Sequence, residues 1–222
     1  MNKIGFMQGR LSPIIGNQIQ SFPFDTWEEE FLIAGKLGLT CIEWTLDYPR
    51  LRLNPLLKSE FKNQILSLST NYKIKIPSVT LDCCMQRPFW KEKDKDIFNA
   101  LIRDLKSIIN AANTVGANIL VIPLVDNGSV TNKEEFEILK NTIESLYDSL
   151  RVNNVKIAFE SDYSPIKLSE FISHFSDELI GINYDTGNSA SLGFKPQEEF
   201  KSYGERIINI HTITLGTIYN FI

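Results

Sequence analysis

The sequence predicts an α/β fold built on a parallel sheet and curling into a (β/α) TIM-type barrel, with seven strands recognisable. Three observations carry that expectation. Apolar stretches alternate with helical patterns in steps of roughly 30 residues, as successive strand–helix units do. No GxGxxG or Walker pattern follows an early strand, which argues against a doubly wound open sheet. Polar residues stand instead at the C-terminal ends of several strands, where a barrel gathers its chemistry. At 222 residues, with 43% hydrophobic and 23% charged side chains, the chain has the composition of a globular protein with a sizeable core. No linker or composition break divides it, so residues 1–222 are expected to form a single domain.

Taken in order, Lys3 to Met7 is a short apolar strand running into the loop Gln8-Gly9-Arg10-Leu11. Asp25-Thr-Trp-Glu28 has the form of a capping box, with Trp27, Phe31, Ala34 and Leu37 as the buried stripe of the helix and Gly38 as its left-handed stop. Cys41 to Leu46 is strand two. A helix over Pro55 to Thr70 leads to strand three at Ile74 to Leu81. Ile97, Leu101, Leu105, Ile108, Ala112 and Val115 recur at helical spacing, and Gly116 ends that helix. Asn118 to Val125 is near-continuously apolar, as a strand covered on both faces should be. Thr131-Asn-Lys-Glu134 is a second capping box, before Phe136, Leu139, Ile143, Leu146 and Leu150. Val155 to Glu160 is strand five, Ser164-Pro165 opens a short helix with proline at its first position, and Ile180 to Asp185 is strand six. Pro196 to Tyr203 is a brief helix, and Ile207 to His211 is strand seven.

The formal net charge is −4, with both signs interleaved, so nothing points to nucleic acid. No apolar run approaches the roughly 18 residues that cross a bilayer, and the first residues lack a signal-peptide pattern. Cys41, Cys83 and Cys84 are spaced neither as a disulfide framework nor as a zinc site. They are expected to be packing thiols of a cytoplasmic protein, with Cys83 and Cys84 on opposite faces if they lie on a strand.

Alternation sorts the late strands into two faces. Ala158 and Glu160, Asn183 and Asp185, and Asn209 and His211 share the face that would point into a barrel. Ile157, Phe159, Ile182, Tyr184, Ile208 and Ile210 take the other, facing the outer helices. Two carboxylates and an imidazole at neighbouring strand ends suit a divalent ion such as Mn²⁺, Mg²⁺, Co²⁺ or Zn²⁺. Each group also has a plainer role open to it: Asp185 capping a turn, Glu160 pairing with a surface lysine, His211 packing at a strand end. Glu43 has a pocket role or a salt bridge open to it, and Arg10 a grip on substrate oxygen or a structural ion pair. Asp126 and Asn127 are best explained by turn formation, and His174 as a surface residue.

Gly9-Arg-Leu-Ser-Pro13 with Gln20-Ser-Phe-Pro23, Ile42-Glu-Trp44, Val121-Ile-Pro-Leu-Val-Asp-Asn127, Phe159-Glu-Ser-Asp162, Asn183-Tyr-Asp-Thr-Gly-Asn-Ser-Ala190 and Asn209-Ile-His211 follow one another over nearly the whole chain. In that order and spacing the sequence resembles the sugar phosphate isomerase/epimerase family, whose fold is similar to xylose isomerase. The resemblance implies a metal-dependent barrel that moves a proton on a sugar, sugar phosphate or polyol through an enediolate. It implies metal ligands Glu160, Asp185 and His211, with Glu160 as the base; Arg10, Glu43 and Asn188 are the candidate substrate contacts. Two departures stand out: Thr212-Ile-Thr214 replaces a common Lys-Asp pair, and Asn188 stands where many members carry histidine.

A full barrel uses eight strands and about 250 residues. Here the uncharged stretch Thr212 to Ile222 offers room for a little more strand, not for a helix and an eighth strand. The expectation is therefore an incomplete barrel without its eighth βα unit or the family's fourth ligand, a glutamate. Metal would then be bound weakly, activity would be low or absent, and two sheet edges would be exposed. The alternative is a non-catalytic barrel fragment that binds a partner or forms a homodimer through its open edge.

Overall fold

The computed structural model describes residues 4–13, 21–48 and 50–212. Seven parallel strands pair in chain order: β1 (Gly5–Met7), β2 (Cys41–Thr45), β3 (Lys75–Thr80), β4 (Ile119–Leu124), β5 (Lys156–Ser161), β6 (Ile180–Asp185) and β7 (Ile207–His211). Each strand lies beside the one before it, so every crossover steps the same way and the sheet curls instead of reversing. The curl goes far. Asn209 of β7 donates from Nδ2 to Glu43 Oε2 of β2 at 3.2 Å, across 166 residues of sequence. Among the described residues, β1 and β7 are the two ends of the strand order. Lys3, Gln20 and the stretch 213–222, on which the expected extra strand would fall, lie outside the described residues.

Nine α-helices are described: α1 (Glu29–Lys36), α2 (Lys62–Tyr72), α3 (Asp82–Gln86), α4 (Lys95–Val115), α5 (Lys133–Glu144), α6 (Tyr147–Asn153), α7 (Pro165–Ser173), α8 (Thr186–Ser191) and α9 (Pro196–Tyr203). The apolar core lies between sheet and helices. Trp44 packs outward against Phe22 and Trp27, and its indole N–H donates to Asn54 Oδ1 at 2.9 Å. Phe159 packs outward against Phe171 of α7 and Phe175. The opposite face of the same strands, inside the curl, carries Glu43, Ser78, Thr80, Asn183 and His211, all buried and polar. The alternation expected for the late strands holds at Phe159 and Tyr184. Ile210 borders a cleft with Ala190 of α8 and Phe200 of α9 but is 55% exposed.

Several elements differ from expectation. Residues 24–28 form turns, and α1 begins at Glu29 behind Glu28, which makes no side-chain cap. Trp27 is buried from that turn, whereas Leu37, expected in the apolar stripe, is 63% exposed as the C-cap. What fixes the entry to α1 is Glu30, fully buried, whose carboxylate accepts from Gly9 N–H at 2.9 and 3.1 Å and Leu11 N–H at 3.1 Å. The helix expected over Pro55 to Thr70 is broken, with two 3₁₀ turns at Pro55–Leu57 and Ser59–Phe61 before α2. The second capping box sits one residue later: Asn132 accepts from Glu135 N–H at 3.0 Å, and Glu135 reaches back to Thr131 N–H at 2.8 Å. Cys83 and Cys84 lie on α3, not on a strand, and both are buried thiols. Asp126 and Asn127 form a 3₁₀ turn, in which the Asn127 amide donates to Met85 O at 3.1 Å.

Candidate metal centre

The site forms where β5, β6 and β7 end. Parallel pairing sets Asp185 opposite His211 and Asn183 opposite Asn209, after a register irregularity between Ile182 and Asn183. With period-two alternation, Glu160, Asn183, Asp185, Asn209 and His211 then all face the inside of the curl. One ligand atom from each of Glu160, Asp185 and His211 comes within 4.8 Å of the others.

His211 is the hub. Its Nε2 lies 2.9 Å from Glu43 Oε1 and its Nδ1 3.3 Å from Glu160 Oε2. Asn183 Nδ2 lies 3.0 Å from the same Nδ1 and donates to Glu160 Oε2 at 2.6 Å. Burial pushes the imidazole pKa down, but the attraction of Glu43 and Glu160 outweighs it, and the net effect is a rise from 6.5 to about 10. Without a metal, the group is an imidazolium clamped between two carboxylates.

The other groups are held as firmly. Asp185 is the N-cap of α8: its Oδ1 accepts from Gly187 and Asn188 N–H, each at 2.8 Å. Capping and convergence on the cluster coexist, because the cap uses one oxygen of two. Asn188 donates from Nδ2 to Glu160 Oε1 at 3.1 Å. Glu43 accepts from Ser78 Oγ at 2.6 Å through Oε2, while its buried Oε1 faces His211 Nε2. Arg10 is exposed in the turn after β1, where its N–H donates to Met7 O at 3.2 Å. His174, as expected, is exposed, at the C-cap of α7.

Sequence reasoning did not single out three contributors. Asn183 and Asn209 are recognisable as inward-facing, but their amides prove to be the links between carboxylates and imidazole. Asp162, two residues beyond Glu160, has its pKa raised by burial and then by repulsion from Asp126, Glu160 and Asp185. That repulsion marks the rim as a concentration of negative charge, which attracts cations. The donor set therefore fits a divalent ion: two carboxylates and an imidazole converge inside an acidic rim, with the carboxylate of Glu43 on the far nitrogen of that imidazole.

A family model described as xylose isomerase-like TIM barrel matches residues 31–213. The chain belongs to the xylose isomerase-like TIM barrel family. Among solved structures of this barrel type, a sugar phosphate isomerase/epimerase from Parabacteroides distasonis ATCC 8503 is 12% identical. The match covers 98% of this chain and 79% of that one, at a TM-score of 0.67. D-psicose 3-epimerase, solved in the presence of D-fructose, is 10% identical over 95% of this chain and 73% of that one, at 0.73. An IolI protein with a bound zinc atom is 17% identical over 95% and 72%, at 0.65. At these identities the likeness establishes the xylose isomerase-like fold and no more. No curated protein matches the sequence.

Proposed function

We propose that this protein is a metal-dependent isomerase or epimerase of the sugar type, acting on a sugar, sugar phosphate or polyol. One observation carries the reading: Glu160, Asp185 and His211 bring ligand atoms within 4.8 Å of one another at three adjacent strand ends of a xylose isomerase-like barrel. Solved barrels of the same fold include proteins named as sugar epimerases, one of them with D-fructose present, which supports the substrate class.

Glu160, Asp185 and His211 would hold the ion. Bound there, a divalent metal supplies Lewis acidity toward adjacent carbonyl and hydroxyl oxygens. The chain's own residues do the rest. Glu160 is the base for a proton next to the carbonyl, its two oxygens oriented by the amides of Asn183 and Asn188. Glu43 sits on the far ring nitrogen of His211, the position from which a carboxylate orients a ligating imidazole. Arg10, exposed in the turn after β1, is the proposed contact for a substrate oxygen or phosphate.

The test is turnover of ketoses and ketose phosphates by purified protein with Mn²⁺, Co²⁺ or Zn²⁺, compared with Glu160→Gln. Metal-dependent turnover lost in the variant supports the reading; turnover that survives chelation or the substitution contradicts it.

A second reading has its own observation. A cleft of about 390 Å³ lies between the ends of the strand order, lined by residues of β1 and β7 with Glu43 and Ser78. Ile4 and Ile210 beside it are 67% and 55% exposed. A binding protein that dimerises or takes a partner strand there fits this edge. Sedimentation separates the two: a monomer at all concentrations with metal-dependent turnover excludes the edge-binding role.

A further inference from the structure

Behind the metal candidates lies a further buried carboxylate. Glu199 of α9 is 2% exposed, and among the described residues no lysine, arginine or histidine pairs with it. It is satisfied by hydroxyls alone. Tyr184 OH and Ser189 Oγ donate to Oε2 at 2.9 and 2.5 Å, and Tyr203 OH donates to Oε1 at 2.7 Å. Burial pushes both phenols up, the Glu199 carboxylate adds to the rise, and at Tyr184 the two together outweigh an opposing Ser189 hydrogen bond, so both remain protonated donors. A buried charge without a counter-charge is costly, and apolar side chains would fill the same space more cheaply.

The donors come from three elements: Tyr184 from β6, Ser189 from α8 and Tyr203 from α9 itself. Helix α8 has only six residues, too few to be stable through its own hydrogen bonds. Yet α8 sets two of the three ligand candidates. Its first N–H groups fix Asp185 Oδ1, and its Asn188 side chain fixes Glu160 Oε1. Ser189 is the next residue, and among the described residues the only α8 side chain hydrogen-bonded to Glu199. A small cavity of about 20 Å³ is lined by Glu160, Asp185 and Asn188 together with Ser189 and Glu199, so the two groups are neighbours in space as well as in sequence.

We propose that Glu199 is a positioning residue for the metal pocket: by gripping Ser189 it fixes α8, and through α8 the orientation of Asp185 and Glu160. This rests on the metal reading of Glu160, Asp185 and His211, and the experiment separates the two. Mn²⁺ affinity is measured by calorimetry, ligand geometry by the visible spectrum of the Co²⁺ form, and stability by melting of the metal-free protein. The proteins are wild type, Ser189→Ala, Glu199→Gln, Tyr203→Phe and Asp185→Asn. Ser189→Ala and Glu199→Gln are expected to weaken Mn²⁺ binding by about tenfold or more and to change the Co²⁺ spectrum. Tyr203→Phe removes a bond to the same carboxylate but none to α8. It is expected to lower the melting temperature while holding Mn²⁺ affinity within about twofold. If Ser189→Ala keeps wild-type affinity and spectrum while Asp185→Asn loses them, the positioning role is overturned and the metal reading stands. If wild type takes up neither ion, both are overturned. Should Glu199→Gln not fold, Ser189→Ala, which removes a single hydroxyl, decides.

Discussion

Replacing Glu43 by glutamine should destabilise the metal-free protein in a way that depends on pH. In the folded protein His211 is raised from 6.5 to about 10, with Glu43 as the stronger attraction and Glu160 as the other. A rise of that size corresponds to about 5 kcal/mol net, the attraction of the two carboxylates less the cost of burying the imidazolium. Both members of the Glu43–His211 pair are more than nine-tenths buried, so solvent screening takes little away. Removing one partner of a buried pair costs about 3–5 kcal/mol when nothing replaces it. Here Glu160 remains, 3.3 Å from Nδ1, so a loss of about 2–3 kcal/mol is expected. The sign follows from proton linkage: a raised histidine binds more protons when folded. Its stabilisation is complete below pH 6.5 and disappears as pH rises through about 10. Urea unfolding of wild type and Glu43→Gln, both with chelator, should show a gap that is largest near pH 6 and closes toward pH 10. Equal stability at pH 6, or a gap that widens with pH, refutes the ion-pair reasoning.

Three further outcomes are checked by the same unfolding assay. Glu30→Gln presents an amide N–H to backbone donors that now face carboxylate oxygen, and should cost about 1–3 kcal/mol although Glu30 lies far from the ligand set in sequence. Gly9→Ala should cost at least about 1–2 kcal/mol, since Gly9 has φ +93° and a Cβ there would collide with the Ser21 carbonyl oxygen. Leu37→Gln should change stability by less than about 0.5 kcal/mol, because the leucine is exposed at a helix end; a larger loss would restore it to the apolar stripe that the sequence suggests.

The strands were legible because their signals are local. A run such as Ile119 to Leu124 needs only coverage on both faces, and the alternation in β5 and β6 separates Phe159 and Tyr184 from Glu160 and Asp185 without knowledge of any partner. The ligand candidates were legible for the same reason, each closing its own strand. What remained hidden depends on contacts distant in sequence. The start of α1 answers to Glu30 gripping the backbone of Gly9 and Leu11, so the local Asp25–Glu28 pattern misplaces it. The local pattern leaves open whether Cys83 and Cys84 lie on a strand; the backbone turns into α3, where Cys83 N–H donates to Leu46 O at 2.8 Å. Glu43 belongs with His211 only because the sheet curls enough to bring β2 beside β7. Glu199 was invisible for a related reason: an exposed-looking Gln-Glu-Glu run on a short helix says nothing about which glutamate meets Tyr184 and Ser189.

The decisive measurement is calorimetric titration of Mn²⁺ or Zn²⁺ into chelator-treated protein near neutral pH, repeated on Glu160→Gln and Asp185→Asn. One site per chain should appear in wild type, weakened by about tenfold or more in each variant, with protons released as the imidazolium of His211 gives way to the metal. Titration of wild type without heat or proton release, or binding that both variants retain at wild-type affinity, would show that this cluster is an ion-pair network and not a metal centre.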